Sequence, residues 1–162
     1  MSSHAPLPDA TGCCPRFEPE AWDGKVLTWD RRPFLRDHVR CLLHIPLGFG
    51  RLMVRDLARI EAAGVKDPAM LVLADGISAW GMDLLLGTTG DLPGADMVHL
   101  SGRFVAKVYE GPYHHEGRWR RDFDAWLKGR GEQARKVYAW YTTCPKCAKV
   151  YGKNYVVLIA ET

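Results

Sequence analysis

The segment from Arg103 to Gly131 constrains the fold more than any other part of the chain. It begins with alternating apolar and polar side chains, the pattern of a half-buried β-strand, and this run ends at Gly111-Pro112. It continues with apolar residues three or four positions apart, which is the pattern of an amphipathic helix. These residues are Trp119, Phe123, Trp126 and Leu127. A strand, a tight turn and a helix are therefore predicted in direct succession.

The order strand-helix-strand-strand is predicted twice along the chain. In the first half its elements are residues 38–45, 50–63, 70–74 and 81–88. In the second half they are residues 103–109, 116–129, 136–143 and 154–161, preceded by a short strand at residues 97–100. Neither helix can bury its apolar side alone, so both are expected on one face of a shared antiparallel sheet, an α+β fold. The other face would form a cleft between the two halves.

Chain length and composition indicate one ordinary globular domain, since 162 residues can bury a substantial core. Residues 1–37 contain several prolines, with Trp22 and Trp29 between them. We interpret this segment as an arm that packs on the domain through its tryptophans. Residues 38–162 then form the domain itself.

The charge balance and the hydropathy of the chain exclude several classes of partner. A net charge of +3, from 22 basic and 19 acidic residues, is too small to favour nucleic acid. No apolar run approaches the roughly 18 residues that span a membrane, and the first residues lack a signal-peptide pattern. We therefore expect a cytoplasmic protein, a monomer or homodimer, with neither nucleic acid nor membrane as partner.

A short motif lies between the predicted second-half strand and helix. It reads Gly111-Pro112-Tyr113, and the helix that follows carries Trp126-Leu127 near its end. With the order of elements described above, this motif resembles the GyrI-like small-molecule-binding domain, which is related to the SOUL haem-binding fold. The resemblance covers residues 39–161. Two further segments, HIPLGFGRLMVRDLARIEAAG and YTTCPKCAKVYGKNYVVLIA, resemble a group of small bacterial proteins described as hydrolases.

This resemblance implies a cleft that binds a small hydrophobic or aromatic molecule. Many members of the family bind bulky, planar or cationic aromatic drugs, and some hydrolyse strained electrophilic compounds and so protect the cell. The drug sensors carry an acid in the strand after the second helix, whereas residues 136–141 contain none here. Because the chain has no DNA-binding region, we favour a detoxifying hydrolase. The alternatives are a non-catalytic sequestering or sensing protein and a metal-stapled module that binds another protein.

Two acids and a tyrosine are the candidates for catalysis. Asp83 alternates with apolar neighbours in a predicted strand, and Glu110 ends the strand before the Gly-Pro turn, next to Tyr113. A third acid in an apolar strand, Glu161, closes the last predicted strand. A carboxyl group surrounded by aromatic side chains has a raised pKa and can act as a general acid or base. The alternatives are a solvated turn residue for Glu110 and a polar contact at a strand end for Asp83.

Aromatic residues in the predicted strands are candidates for ligand binding, because they hold flat ligands by apolar contact and offset stacking. Alternation places Tyr138 and Trp140 on one face of their strand, away from the helices. The alternative is that they belong to the core of the sheet. The expected ligand-binding residues are Trp80, Tyr109, Tyr138, Trp140 and Lys107.

Two cysteine pairs lie near the two ends of the chain. Cys144 and Cys147 have the spacing of a zinc knuckle, and Cys13 and Cys14 would complete a tetrahedral structural zinc site. The alternatives are a redox pair and ordinary buried thiols. No phosphate loop or dinucleotide fingerprint is present, so no organic cofactor is predicted. His38 has no partner at a recognisable spacing.

Overall fold

The structure is a computed structural model, and it describes residues 17–142 and 145–162. Its strands are β1 Val26–Leu42, β2 Ile45–Pro46, β3 Val72–Asp75, β4 Gly81–Gly87, β5 Met97–Glu110, β6 Lys136–Tyr141 and β7 Tyr155–Glu161. Its helices are α1 Phe49–Ala62, α2 Glu116–Gly129 and α3 Pro145–Tyr151, with short 3₁₀ turns at Pro19–Ala21 and Tyr113–His115. Among the described residues, no helix has the length and apolar character needed to cross a membrane.

The strands form one antiparallel sheet in the order β2-β1-β4-β3-β6-β7-β5, and a further pairing between β1 and β5 closes it on itself. The length of β1 makes this closure possible. Its first part pairs with β5 and its later part pairs with β4. A bulge between Trp29 and Arg32, with Arg31 at a φ of 48°, interrupts the pairing with β5, which resumes at Arg32 and continues to Leu35. The predicted α+β class is confirmed, with the sheet closed into a barrel.

The predictions of α1 and α2 agree with the structure to within one residue, whereas those of β1 and β5 differ from it most. The first strand begins at Val26 and not at residue 38, so residues 26–37 of the predicted arm belong to the sheet. The bulge and Pro33 interrupt the alternation that would have revealed this strand. The two short segments predicted at residues 97–100 and 103–109 form one strand, β5, through Gly102. The seven-residue helix α3 was not predicted.

Each side of the sheet has its own core. Beneath α1 lie apolar residues of β1 and β4, including Met82, Leu84 and Leu86, which alternate with Asp83. Beneath α2 lie residues of β5, β6 and β7. The face away from the helices is filled with large buried side chains, which we call the aromatic interior: Trp29, Phe34, Leu71, Leu73, Leu85, Phe104, Ala106, Tyr138, Trp140, Val157 and Ile159. The face expected to form an open cleft is thus curled inward and packed.

Residues 17–25, the part of the predicted arm before β1, cover the aromatic interior. The rings of Phe17 and Trp22 meet Trp140 edge-on, with centroids 5.4 and 4.8 Å away. The N–H of Gly24 donates to the carbonyl of Ala106, continuing the β1–β5 pairing. The position of the boundary between arm and domain remains an interpretation.

Candidate functional site

Polar side chains from five neighbouring strands border one end of the aromatic interior. Register pairs His38 of β1 with Asp83 of β4, and Asp83 with Asp75 of β3. Lys136 of β6 and Glu161 of β7 are also register partners. Each of the five lies an even number of residues from an interior residue on its own strand, so all share the interior-facing side of the sheet. We call these five residues the polar rim.

A histidine–carboxylate pair is the best-defined feature of the polar rim. His38 Nδ1 lies 2.8 Å from Asp83 Oδ1, and both side chains are partly exposed. An ionised Asp83 fixes the tautomer in which Nδ1 donates, and leaves the lone pair on Nε2 for another partner. The imidazole lies over Gly81, where an added Cβ would be only 2.7 Å from Nε2. The absence of a side chain at Gly81 therefore makes room for the ring.

An ion pair and a buried phenol lie on β3 and β6, further along the polar rim. Lys136 Nζ is 2.6 Å from an oxygen of Asp75, and this hydrogen bond is the main cause of the raised pKa of Lys136. The same ammonium group lies 5.4 Å from the ring centroid of Tyr138. Burial is the main cause of the raised pKa of Tyr138. The rim thus keeps a charged lysine and a protonated phenol next to each other.

The two predicted catalytic acids occupy different ends of the sheet. Asp83 belongs to the polar rim, whereas the exposed Glu110 pairs with Tyr155, at the end of β7 away from Glu161. Tyr113 packs against Tyr141, with ring centroids 5.7 Å apart. The structure therefore places Asp83 and Tyr138 on the interior-facing side of the sheet, and Glu110 at the other end of its strands.

The predicted ligand-binding residues on β5 contact helix α2. The hydroxyl of Tyr109 donates to Asp122 Oδ2 at 2.6 Å, and Lys107 Nζ lies 2.8 Å from the same oxygen. Burial is the largest cause of the raised pKa of Tyr109, followed by its contact with Asp122. The ring also stacks on Trp119 at 5.8 Å. Tyr109 and Lys107 thus fasten α2 to the sheet, on the side opposite the aromatic interior.

The other predicted aromatic residues differ strongly in exposure. Trp80 is 66% exposed in the turn before β4. Tyr138 and Trp140 are buried, and they are the two residues that β6 contributes to the aromatic interior. Of the predicted binding set, these two lie on the same face as the polar rim.

Three residues of the polar rim were missed by the sequence analysis: His38, Asp75 and Lys136. His38 and Asp83 are 45 positions apart, and only the pairing of β1 with β4 brings them together. The available signal was strand phase, because both residues are in phase with the aromatic interior and alternate with residues packed under α1. Strand phase predicts a contact between two residues only when it is known that their strands are neighbours, as β1 and β4 are here.

The predicted zinc ligands lie mostly outside the described residues. Cys13, Cys14 and Cys144 fall there, and Cys147 is buried in α3. Within residues 17–142 and 145–162, no group of three or more histidine, cysteine, aspartate or glutamate side chains is placed to hold a metal ion. Structural zinc remains a prediction.

Comparison with known proteins identifies the family. The family model described as bacterial hydrolase matches residues 5–162. Because this match spans nearly the whole chain, the protein belongs to that family. None of the curated proteins matches the sequence.

Solved structures share the fold at low sequence identity. A hydrolase from Listeria innocua is 12% identical, with a TM-score of 0.59 over 85% of this chain and 90% of that chain. An uncharacterized conserved protein from the same organism is 12% identical, with a TM-score of 0.59 over 85% and 91%. SAV2435 bound to tetraphenylphosphonium is 11% identical, with a TM-score of 0.51 over 85% and 92%. These neighbours fit the GyrI-like fold expected from the sequence.

Proposed function

We propose that this protein hydrolyses small hydrophobic or aromatic electrophiles, with the polar rim as its catalytic centre and the aromatic interior as its binding surface. The observation that carries this proposal is the 2.8 Å contact between His38 and Asp83 at the border of an apolar cluster. The family description of hydrolase supports the reaction class. Removal of reactive compounds would be the biological use of such an activity.

The proposed reaction uses His38 as the general base. Its Nε2 accepts a proton from water while the water oxygen attacks the electrophilic carbon, and Asp83 stabilises the resulting imidazolium. The bond from that carbon to the leaving oxygen breaks, and the leaving oxygen takes the proton back from His38. Lys136 stabilises the negative charge that develops on this oxygen. The neutral hydroxyl of Tyr138 is a second donor for the same charge.

Ligand entry is proposed to involve the residues that cover the interior. Phe17 and Trp22 are only half-buried and contact Trp140 through ring edges. An aromatic ligand offers Trp140 the same kind of contact, since edge-to-face and offset-stacked pairs are of similar strength. We therefore propose that the ligand replaces these two rings against Trp140.

Sequestration of aromatic cations is the second candidate function. One structural neighbour is bound to tetraphenylphosphonium, a cation with four phenyl rings. Although β6 lacks an acid, the polar rim carries three carboxylates from β3, β4 and β7, on Asp75, Asp83 and Glu161. Carboxylates beside buried aromatic rings would favour a ligand that is both cationic and aromatic.

Two measurements on the wild-type protein separate these functions. Styrene oxide, a strained aromatic electrophile, serves as substrate, and its diol product is quantified by chromatography. Tetraphenylphosphonium binding is followed by the fluorescence of the six tryptophans. Diol formation that is lost in His38→Gln supports the hydrolase. Binding of the cation without turnover of styrene oxide or of aromatic esters supports sequestration, and the absence of both contradicts the small-molecule proposal.

A further inference from the structure

An exposed apolar surface lies at the hairpin formed by β1 and β2, next to the His38 end of the polar rim. Six large apolar residues of this region are between 38% and 67% exposed. We call them the apolar tip: Leu42, Leu43, Ile45, Leu47, Ile77 and Trp80. Exposed apolar residues are ordinary when scattered, but a contiguous group marks an interaction surface.

Backbone hydrogen bonds hold the two parts of this surface together. The N–H of Cys41 donates to the carbonyl of Trp80 at 2.8 Å, and the N–H of His44 donates to the carbonyl of Ala79 at 3.1 Å. The hairpin and the turn before β4 therefore present their side chains as one surface.

The turn of the hairpin has an unusual sequence for its backbone. Leu43 and His44 have φ angles of 48° and 70°, and two-residue hairpin turns with two positive φ values strongly prefer Asn-Gly. A leucine in this conformation costs stability. Its side chain is nevertheless 67% exposed at the outermost point of the hairpin. A residue that is kept at a conformational cost is a candidate for a functional role, here contact with a partner.

Basic residues border the hairpin part of the apolar tip. Residues 40–55 contain three arginines, one histidine and no acid. Arg55 is paired with Asp37, whereas Arg40 and Arg51 have no ion-pair partner among the described residues. The tip thus combines apolar side chains with two arginines whose charge is available to an anionic partner.

We infer that the apolar tip docks onto the surface of an anionic lipid bilayer. Leucine, isoleucine and tryptophan side chains insert into the headgroup region, and Arg40 and Arg51 contact lipid phosphates, as in other interfacial binding surfaces. A second copy of the chain fits less well, because a two-fold contact through this surface would bring the arginines of both copies together. The expectation of no membrane partner rested on the lack of a spanning segment, which surface docking does not require. This inference stands independently of the proposed hydrolysis.

Co-sedimentation with lipid vesicles tests the inference. Wild-type protein should sediment with vesicles in which about a third of the lipid is phosphatidylglycerol, and not with pure phosphatidylcholine vesicles. Added salt should weaken this binding. Arg40→Gln and Arg51→Gln should each weaken it about fivefold, the effect expected for one basic residue near the bilayer.

The double variant Leu43→Asn with Ile45→Thr tests the apolar part, and it is designed to fold. Asparagine tolerates the left-handed backbone of Leu43, and threonine retains the strand preference of Ile45. This variant should lose vesicle binding while keeping the wild-type circular dichroism spectrum. Val150→Thr, at a residue that is 55% exposed on α3, is the matched control and should bind like wild type.

Three results would overturn the inference. They are no binding of wild type to anionic vesicles, equal binding to phosphatidylcholine, and a wild-type dimer that the double variant converts to monomer in sedimentation velocity. The last result would assign the apolar tip to a second copy of the chain.

Discussion

Replacing Asp56 with asparagine should make the protein more stable above pH 6, because this carboxyl group lies on the buried side of α1 and one of its oxygens lacks a hydrogen-bond partner. Its side chain is fully buried, and its Oδ2 atom has no hydrogen-bond partner. Oδ1 lies 3.3 Å from Arg55 Nε. Asp37 lies close by, held by Arg55 and by the N–H of His38.

The magnitude follows from the pKa of Asp56. Burial, then the neighbouring Asp37, raises this pKa from 3.8 to about 6, while Arg55 works in the opposite direction. As the pH rises through this interval, the carboxyl ionises first in the unfolded chain, so the unfolded state gains stability relative to the folded state. At about 1.4 kcal/mol per pKa unit, the folded protein loses about 3 kcal/mol between pH 3.8 and about pH 6.

The neighbouring carboxyl group acts in a different pH range. Burial works to raise the pKa of Asp37, but the neighbouring Asp56 carboxyl group, the N–H of His38 that donates to it and Arg55 together lower it overall. The stability that Asp37 contributes is present above its unfolded pKa and is lost as the pH falls below it. Between pH 3.8 and about pH 6, the change in stability with pH therefore comes from Asp56 and not from Asp37.

Urea unfolding followed by tryptophan fluorescence measures this effect. The free energies of unfolding of wild type and Asp56→Asn are compared below, within and above the interval from 3.8 to about 6. The difference in favour of the variant should grow with pH and then level off after a gain of about 3 kcal/mol. Parallel pH profiles for the two proteins, or a difference that shrinks as the pH rises, would refute the reasoning.

Three further substitutions test separate parts of the structure. Gly81→Ala should displace the His38 ring and lower turnover about 10²- to 10⁴-fold with little loss of stability. Gly50→Ala is the control and should keep full turnover, because an added Cβ there meets nothing within 4 Å. Tyr109→Phe removes the hydroxyl that donates to Asp122 and should lower the free energy of unfolding by about 1 kcal/mol, measured in urea. Trp22→Ala removes an edge-to-face contact with Trp140 that the ligand is proposed to replace. It should therefore strengthen binding of an aromatic ligand about fivefold in a fluorescence titration. Unchanged or weaker binding would contradict the proposed entry route.

The elements that follow one local pattern could be predicted from the sequence. Helix α2 is an example, since Trp119, Phe123 and Leu127 recur on one helical face and all three are buried in the structure. Asp83 could also be selected, because its phase in β4 opposes that of the residues packed under α1. In each case the information lies within a few neighbouring residues.

The remaining features depend on contacts between distant segments. Strand β1 contains a bulge, so its alternation is broken near Arg31 and Pro33, and its first part resembles an irregular arm in the sequence. The pairing of His38 with Asp83 follows from the register of β1 and β4. Closure of the sheet through β1 and β5 likewise has no local signature. An open cleft was therefore expected where large side chains fill the interior.

The most direct test of the central proposal compares two acid-to-amide variants, Asp83→Asn and Glu110→Gln. Both residues were candidates from the sequence, but only Asp83 contacts His38, whereas Glu110 lies at the other end of the sheet. Steady-state hydrolysis of styrene oxide and ligand affinity are measured for both variants. Turnover should fall at least about 100-fold in Asp83→Asn with affinity retained, and should be unchanged in Glu110→Gln. Full turnover in Asp83→Asn, or its loss in Glu110→Gln alone, would contradict a catalytic centre at the polar rim.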